Sequence, residues 1–192
     1  MARTKEFDQE VVLERAMNFF WEHGYEATSM RDLLHAMQIG RQSLYDTFGD
    51  KHSLFVASLA HYSEIGKRSL VVPLGAADGG LRAIEQYFAA MGRGMDSDPP
   101  RSCLVINSAI ELAPHDKEVA AVVQEFIHSL HEGFRAALEV AVAKGEARVD
   151  DIDAVAWHFT NSAMGFGPMS RARISSMALK SVAEQLIKTI RV

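Results

Sequence analysis

Three features that the sequence lacks limit the kind of protein it describes. The 192 residues include a single cysteine, Cys103, so the chain cannot form an internal disulfide, which suits a reducing compartment. No uninterrupted apolar run approaches the roughly 20 residues that a membrane-spanning helix needs. Residues 1–10 lack the apolar segment of a secretory signal. We therefore expect a cytoplasmic protein that does not contact the membrane.

Signatures of catalysis and cofactor binding are also missing. The sequence has no nucleophile elbow and no Walker loop. Gly165 and Gly167 follow a predicted helix, whereas a dinucleotide-binding loop must follow a strand. Glu125 and His128 have the spacing of a di-iron motif in helical bundles, but the sequence lacks the second copy that such a site needs. These absences predict a protein that is not an enzyme and binds no metal or cofactor.

A surplus of positive charge, which nucleic-acid binders commonly show, is absent as well. The formal net charge is −5, and residues 1–52 contain six Lys or Arg against nine Asp or Glu. A positive DNA-binding surface must then be a local one. Its candidate members are Arg3, Lys5, Arg31, Arg41 and Lys51. We expect modest non-specific affinity for DNA and a strong dependence on specific contacts.

What the sequence does contain is a pair of short helical patterns between residues 28 and 51. The first follows a helix start signal at Thr28-Ser29. Its apolar residues recur at helical spacing and are Met30, Leu33, Leu34 and Met37. After a break at residues 38–40, the second pattern runs from Arg41 to Phe48, with Leu44 and Phe48 facing inward. Two short helices joined by a tight, glycine-containing break predict a helix-turn-helix, whose second helix can enter a DNA major groove.

The outward face of the second pattern carries side chains that suit DNA recognition. Arg41 and Gln42 are of the types that make paired hydrogen bonds to guanine and adenine edges, and Ser43 lies beside them. The hydroxyl of Tyr45 and the ammonium group of Lys51 suit phosphate oxygens. A solvated helix surface also carries polar residues, so periodicity by itself leaves both interpretations open.

Residues on both sides of the break occur in a characteristic order, namely Phe20, Gly24-Tyr25, residues 28–33, residues 44–48 and Lys51. In this order and spacing, residues 8–55 resemble the N-terminal domain of the TetR family of transcriptional regulators. The resemblance implies that the helix from Arg41 to Phe48 reads bases, and it favours a repressor over an activator. It also matches five residues to positions that usually touch the DNA backbone, namely Thr28, Ser29, Arg31, Tyr45 and Lys51.

Two departures from the family pattern fall in the turn. Gln38 stands where the family usually has Gly, and Gly40 stands where it usually has Ser. A glutamine in a left-handed turn carries some backbone strain, and Gly40 can cap a helix only without a side-chain oxygen. Together with the acidic balance, these departures support an alternative, a helical ligand-binding or interaction protein that has lost DNA binding.

The rest of the chain is predicted to be helical. A helix that starts at Lys51 links the first part to the second and ends near Ser69, before a break that contains Pro73 and Gly79-Gly80. Further helices follow, with a loop at residues 94–101, an interruption at residues 165–168 and a last helix at about 171–190. We predict an all-α fold of about nine helices. A three-helix DNA-binding domain occupies residues 1–52, and a helical bundle for effector binding and dimerisation occupies residues 53–192.

The aromatic and methionine side chains of the second domain predict a ligand cavity. Apolar linings with a few polar anchors are typical of small-molecule sites, although each apolar residue taken singly also fits a core position. The candidates are Phe88, Met91, Cys103, Asn107, Phe126, Trp157 and Met164. The resemblance implies a small apolar effector and a homodimer formed through the last two helices. A two-fold dimer would match a palindromic DNA operator.

Cys103 carries a separate hypothesis. It follows Arg101 and begins a predicted helix, and both a nearby cation and a helix N-terminus lower the pKa of a thiol. Some members of the family sense oxidants or electrophiles through a cysteine in this region, so the resemblance permits a sensor. The alternative is a small buried apolar residue, which is how a free cysteine usually behaves.

Overall fold

The computed structural model describes residues 7–95 and 102–192. Within these residues it contains nine α-helices and no β-strand, which confirms the predicted all-α class. The candidate DNA contacts Arg3 and Lys5, and most of the predicted loop before Ser102, lie outside the described residues. No helix in the described part of the chain combines the length and the apolar character needed to cross a membrane.

Four helices form the N-terminal part, and side-chain caps set where three of them begin. The helices are α1 (Gln9–His23), α2 (Met30–Met37), α3 (Arg41–Phe48) and α4 (Lys51–Gly66). Asp8, Ser29 and Asp50 each accept hydrogen bonds from backbone N–H groups of the turn that follows. These bonds satisfy donors that the start of a helix leaves unpaired. The start signal that the sequence predicts at Thr28-Ser29 is confirmed, with Ser29 as the cap.

Five helices form the C-terminal part, after an irregular stretch. Residues Lys67–Val71 form a π-helical turn and Val72–Gly75 a 3-10 turn. The helices that follow are α5 (Gly80–Met95), α6 (Leu104–Glu111), α7 (Lys117–Ala143), α8 (Ile152–Arg171) and α9 (Ser176–Ile190). The long helix α7 packs against α4, α5, α6 and α8, so it connects the two parts of the molecule.

The predicted interruption after residue 164 is wrong, because residues 165–168 all lie inside α8, which ends at Arg171. Gly167 serves close packing instead. A Cβ atom there would meet Ser102 Oγ at 3.0 Å and Ile106 Cδ1 at 3.2 Å. Glycine is used where a backbone must approach a neighbour closely as well as where a chain turns, and the sequence does not distinguish these two uses.

The last helix starts later than its periodicity predicts. It begins at Ser176 rather than near Arg171. Arg173 adopts a left-handed conformation with a φ of 60°, and Ser175 accepts a hydrogen bond from Ala178 N. A left-handed residue commonly ends a helix, and the chain therefore turns between α8 and α9.

The buried side chains form two clusters that do not follow the predicted domain division. The first cluster joins α1–α4 to α6 and the N-terminal half of α7, with Phe20, Phe55 and Phe126 among its members. The second cluster joins α5, the C-terminal half of α7, α8 and α9 around Phe134 and Phe159. The helices that carry the predicted DNA contacts thus share a core with α6 and the start of α7. The domain boundary after residue 52 stays a prediction.

Candidate nucleic-acid interface

α3 presents its polar side chains outward because an apolar residue anchors its other side. Leu44 is fully buried in the first core cluster. Arg41 and Gln42 are exposed, Ser43 is partly buried, and 46% of the surface of Tyr45 is accessible. The structure thus places the predicted base-reading residues on the accessible part of an eight-residue helix.

The amide of Gln42 is oriented by a neighbour on the same helix. Its Nε2 donates to Asp46 Oδ1 at 2.8 Å, a contact that the spacing of four residues on a helix allows. This bond uses one amide hydrogen. The other hydrogen and the carbonyl oxygen remain, and these are the donor and acceptor that pair with an adenine edge. Asp46 is not among the site residues that the sequence predicts, although its spacing from Gln42 is a visible signal.

Two of the predicted backbone-contacting residues lie at the start of α2. Ser29 accepts a hydrogen bond from Asp32 N at 3.2 Å, and its hydroxyl donates to the Asp32 carboxylate. The side chain of Arg31 is 92% exposed and lies 3.8 Å from Asp32. At this distance and exposure the ion pair is weak, so the guanidinium group is available to a phosphate.

Thr28 has a different place from the one that the resemblance implies. Its side chain is buried, and its hydroxyl donates to the Gly24 carbonyl oxygen at 2.6 Å. The hydroxyl therefore closes the loop between α1 and α2 and is not offered to DNA. Thr28 positions the start of α2, and its predicted role as a direct contact is not supported by this geometry.

The turn between α2 and α3 is left-handed, as its position in the pattern predicts. Gln38 has a φ of 58° and a ψ of 41°, a region that non-glycine residues adopt infrequently. Arg15 of α1 supports this turn, since its Nη1 lies 3.1 Å from both Met37 O and Gln38 Oε1. Arg15 therefore satisfies a carbonyl at the end of α2. The sequence places Arg15 only on the helical pattern of α1, and nothing in the local pattern indicates this partner.

Lys51 is positioned by an aromatic ring. Its Nζ lies 4.3 Å from the centroid of the Tyr25 ring, a cation–π contact that restrains a long side chain. Burial is the main cause that raises the pKa of Tyr25 above its ordinary value, so the ring is neutral at physiological pH. Lys51 forms no ion pair within residues 7–95 and 102–192, and its charge is available to a phosphate.

Two family models match the chain. The first, described as bacterial regulatory proteins of the tetR family, matches residues 12–58, which include α2, the turn and α3. The second, described as the tetracyclin repressor-like C-terminal domain, matches residues 80–186, more than half of the chain. The chain belongs to the TetR family. The resemblance of residues 8–55 is thereby confirmed and extends to the second part of the molecule.

Individual relatives of this chain support its membership of the TetR family. It is 41% identical over 155 residues to an uncharacterized HTH-type transcriptional regulator, YezE of Bacillus subtilis strain 168, with 80% of this chain and 79% of that protein covered. It is 34% identical over 132 residues to the HTH-type transcriptional repressor ComR of Escherichia coli strain K12, with 68% and 62% covered.

A solved structure of another TetR-family regulator has the same fold. It is a cysteine mutant of the TetR family transcriptional regulator CifR, complexed with 26 bp double-strand operator DNA. It matches this chain with a TM-score of 0.84 at 28% identity, covering 98% of this chain and 100% of that one. The TetR-family chain described here is a DNA-binding transcriptional regulator, as its sequence predicts.

The structure separates the predicted effector-binding residues into two groups. Phe88, Met91 and Met164 belong to or pack against the second core cluster. Phe126 and Cys103 belong to or pack against the first. The resemblance implies one cavity for all of them, but these five side chains fall on two different cores because α7 contributes to both. Their role in effector binding stays a prediction.

The other two predicted effector residues lie elsewhere. Trp157 is 40% exposed, and its ring stacks on that of His131 with centroids 4.1 Å apart. Asn107 is partly buried on α6. A groove between α5 and α9 has a volume of about 920 Å³, and of the predicted set only Phe88 is among the described residues that line it.

Cys103 is the residue immediately before α6, where its side chain makes no capping hydrogen bond, and its thiol lies against Tyr62. Burial raises the pKa of the Cys103 thiol, and hydrogen bonds from the Ile106 backbone and the Tyr62 hydroxyl offset this only in part. The direction is opposite to that expected for a reactive thiolate. Arg101, the cation invoked in the sensor hypothesis, lies outside the described residues.

Three contacts join the DNA-binding helices to α6 and α7. The indole N–H of Trp21 donates to the Ser102 carbonyl oxygen, and the Glu26 backbone N–H donates to Glu111 Oε1 at 3.2 Å. His52 Nε2 lies 2.5 Å from Asp116 Oδ2, the carboxylate that also caps α7. These contacts connect α7 and the segment around α6 to α1, to the loop before α2 and to the start of α4.

Proposed function

We propose that this regulator is a ligand-responsive repressor that binds a palindromic operator as a homodimer in the cytoplasm and catalyses no reaction. The observation that carries the proposal is the outward face of α3, where Arg41, Gln42 and Tyr45 are exposed while Leu44 anchors the helix. The names of two relatives support repression, since ComR and DhaR of Mycobacterium sp. strain GP1 are both called transcriptional repressors.

In the proposed complex α3 lies in the major groove. Arg41 pairs with a guanine edge, and Gln42, oriented by Asp46, pairs with an adenine edge. Ser43 contacts a neighbouring base. Phosphate contacts that set the register come from Ser29, Arg31, Tyr45 and Lys51.

The excess of acidic over basic residues in residues 1–52 is compatible with DNA binding, because several of the carboxylates accept hydrogen bonds from other groups of the protein. Asp8 and Asp50 cap α1 and α4, where the helix dipole offsets part of a negative charge. Asp32 accepts from Ser29 and Asp46 accepts from Gln42. The cations Arg31, Arg41 and Lys51 remain accessible or only partly buried, and they form the local positive surface.

The proposed dimer interface is an uncharged face of α8 and α9. Between Asp153 and Arg171, α8 contains no Asp, Glu, Lys or Arg, yet several of its side chains are exposed. Exposed uncharged residues that we assign to this face include Trp157, His158, Asn161, Met169, Ala178, Ser181, Val182 and Gln185. A monomer normally places charges on such a surface, and depletion of charge is typical of an interface core. We infer that a second copy of the chain covers this face.

Effector binding is proposed to act through the contacts between the two parts of the molecule. The pairs Trp21–Ser102, Glu26–Glu111 and His52–Asp116 connect α6 and α7 to the DNA-binding helices. An effector that prefers the arrangement in which the two α3 helices mismatch the operator shifts the population away from DNA. The same contacts would transmit modification of Cys103, which begins α6.

A selection from random duplex DNA at near-physiological salt tests the proposal. The expected result is a palindrome with fixed half-site spacing, because two recognition helices related by a two-fold axis contact half-sites about one helical turn apart. An Arg41→Ala variant run in parallel should lose preference at one base pair per half-site.

Failure to enrich any sequence with folded, dimeric protein would contradict DNA recognition. Repeating the selection after unfolding and refolding removes a co-purified ligand. Continued failure would favour the alternative of a helical ligand-binding protein that has lost DNA binding. If a Cys103→Ser variant keeps every effector response, the sensor hypothesis is wrong.

A further inference from the structure

The groove between α5 and α9 has the size and lining of a small-molecule site. Its volume of about 920 Å³ lies within the range of about 300–1,000 Å³ that is usual for ligand pockets. The apolar side chains that line it are Phe88, Ala89, Phe166, Met177, Ala183 and Ile187. Phe88 and Phe166 belong to the second core cluster, so the floor of the groove is apolar and continuous with the core.

The rim of this groove carries more positive than negative charge. Its charged residues are Glu85, Arg93, Lys180, Glu184, Lys188 and Arg191. Both carboxylates already have a cation, since Glu85 bonds to Arg191 and Glu184 lies 3.8 Å from Lys180. Arg93 and Lys188 form no ion pair within the described part of the chain. An anionic group at the rim would therefore meet two cations, Arg93 and Lys188, that have no carboxylate partner among residues 7–95 and 102–192.

The groove is distinct from the proposed dimer interface. Lys180, Glu184 and Lys188 recur every four residues and so lie on one stripe of α9. Ser181 and Gln185 recur on another stripe, which carries no charge. A second copy of the chain seated on the uncharged stripe leaves the α5–α9 groove open to a ligand.

A short chain of contacts connects the groove to the DNA-binding part. Phe166 lies at the floor, and the next residue, Gly167, packs against Ser102. The Ser102 carbonyl oxygen accepts from the indole N–H of Trp21 on α1. A ligand that displaces Phe166 therefore acts on the segment that holds α1.

We infer that the α5–α9 groove binds an amphipathic organic anion, in which an apolar chain or ring carries a carboxylate or similar head, and that this anion is the effector. The apolar part covers Phe88 and Phe166, and the anionic head lies between Arg93 and Lys188. The effector part of this inference rests on the proposed function. It replaces the small apolar effector, because a purely apolar molecule would leave the two cations of the rim unused.

Direct binding of decanoate to the full-length dimer without DNA, measured by isothermal titration calorimetry, tests the site. We expect saturable binding of one decanoate per chain, and binding of decan-1-ol weaker by about tenfold, the factor that corresponds to loss of about 1.4 kcal/mol of charge interaction. Equal affinity for the acid and the alcohol would overturn the anionic character of the site.

Two pairs of variants locate the ligand. Ala89 lines the groove and is exposed, so Ala89→Trp fills the groove without disturbing the core and should abolish binding. Gln86→Trp adds the same bulk at an exposed position of α5 outside the groove lining and should leave binding unchanged. Lys188→Gln should weaken binding about threefold. Arg68→Gln, which removes an exposed charge outside the groove, should have no effect. Binding that survives Ala89→Trp would show that decanoate lies elsewhere.

Measuring decanoate binding and operator binding together distinguishes failure of the groove inference from failure of the proposed repressor function. The operator is the one found by DNA selection. If decanoate binds in the groove and lowers operator affinity, the inference holds. If it binds without changing operator affinity, the effector assignment is wrong. If the operator is bound but decanoate does not bind, the groove inference fails and the proposed repressor stands. If decanoate binds but no operator exists, the proposed function fails instead.

Discussion

Arg41 occupies the first position of α3, where a positive charge is unfavourable for the isolated protein. The N-terminus of a helix carries partial positive charge, and the first turn of α3 contains no acidic residue to offset Arg41. Gln42 on the same face is restrained by Asp46. At the scale of single residues, the recognition face therefore combines two features. Arg41 is a cation whose position favours binding to DNA over stability, and the amide of Gln42 is oriented by Asp46 before DNA binds.

Replacing Arg41 by alanine separates stability from recognition. We predict that operator affinity falls by about 1–3 kcal/mol, with relaxed preference at one base pair, while the free energy of unfolding stays the same or rises slightly. Arg31→Ala is the control, because loss of a phosphate contact weakens binding to all sequences about equally. Fluorescence anisotropy on cognate and single-substituted duplexes measures both effects. Unchanged specificity in Arg41→Ala would remove it from the base-reading set.

Asp46→Ala tests whether Asp46 orients Gln42. We predict higher affinity for unrelated duplexes, because a negative charge near the phosphates is lost, together with weaker discrimination at the base pair read by Gln42. In a double-mutant cycle with Gln42→Ala, the two losses of discrimination should be non-additive, since each variant breaks the same hydrogen bond. Additive losses would mean that the two side chains act independently on DNA.

At the scale of elements, glycines of the same helix have opposite roles. A Cβ at Gly167 would lie within 3.3 Å of atoms of residues 102, 103 and 106, whereas a Cβ at Gly165 would meet nothing within 4 Å among the described residues. Both are helical, so the backbone cost of glycine is the same for each. Their difference lies in residues 102–106, which pack against α8 at Gly167 and not at Gly165.

Alanine at these two positions should change stability in opposite directions. We predict that Gly167→Ala lowers the free energy of unfolding by about 1–3 kcal/mol, the usual cost of overpacking. Gly165→Ala should raise it by roughly 0.5–1 kcal/mol through helix propensity. Urea titrations of the two variants beside the unmodified chain measure both. Destabilisation by Gly165→Ala would indicate that this position is covered in the dimer.

At the scale of the whole molecule, the proposed dimer is formed through the uncharged face of α8 and α9. Val182 is 45% exposed there, beside the buried residues Leu179 and Leu186, which lie three and four positions away on α9. In the proposed dimer this side chain is covered by the second copy. Burying a charge without a partner at such a position is strongly unfavourable.

Val182→Glu should therefore produce a monomer. We expect sedimentation equilibrium to give the mass of a single chain, with retained helical circular dichroism and loss of high-affinity operator binding. Lys180→Glu places a negative charge on the groove stripe of the same helix and should remain dimeric. A Val182→Glu variant that stays dimeric would place the interface elsewhere.

Local sequence determined those features of this protein in which the interacting residues lie within a few positions of each other. Caps at Asp8, Ser29 and Asp50 and the outward face of α3 follow from spacing of about four residues or fewer, and the family resemblance implies the left-handed conformation of Gln38. The order of residues around the turn was enough to predict the TetR family, and the family models confirm it.

Tertiary structure alone decided the rest, because partners distant in sequence depend on how helices pack. Thr28 is buried rather than offered to DNA, and Arg15 holds a turn 22 residues away. Gly167 lies inside α8 and packs against Ser102 and Ile106, although the glycines and proline of residues 165–168 predict an interruption there. The predicted effector residues are divided between two cores because α7 spans both, and a helix that serves two cores has the same apolar periodicity as a helix that serves one.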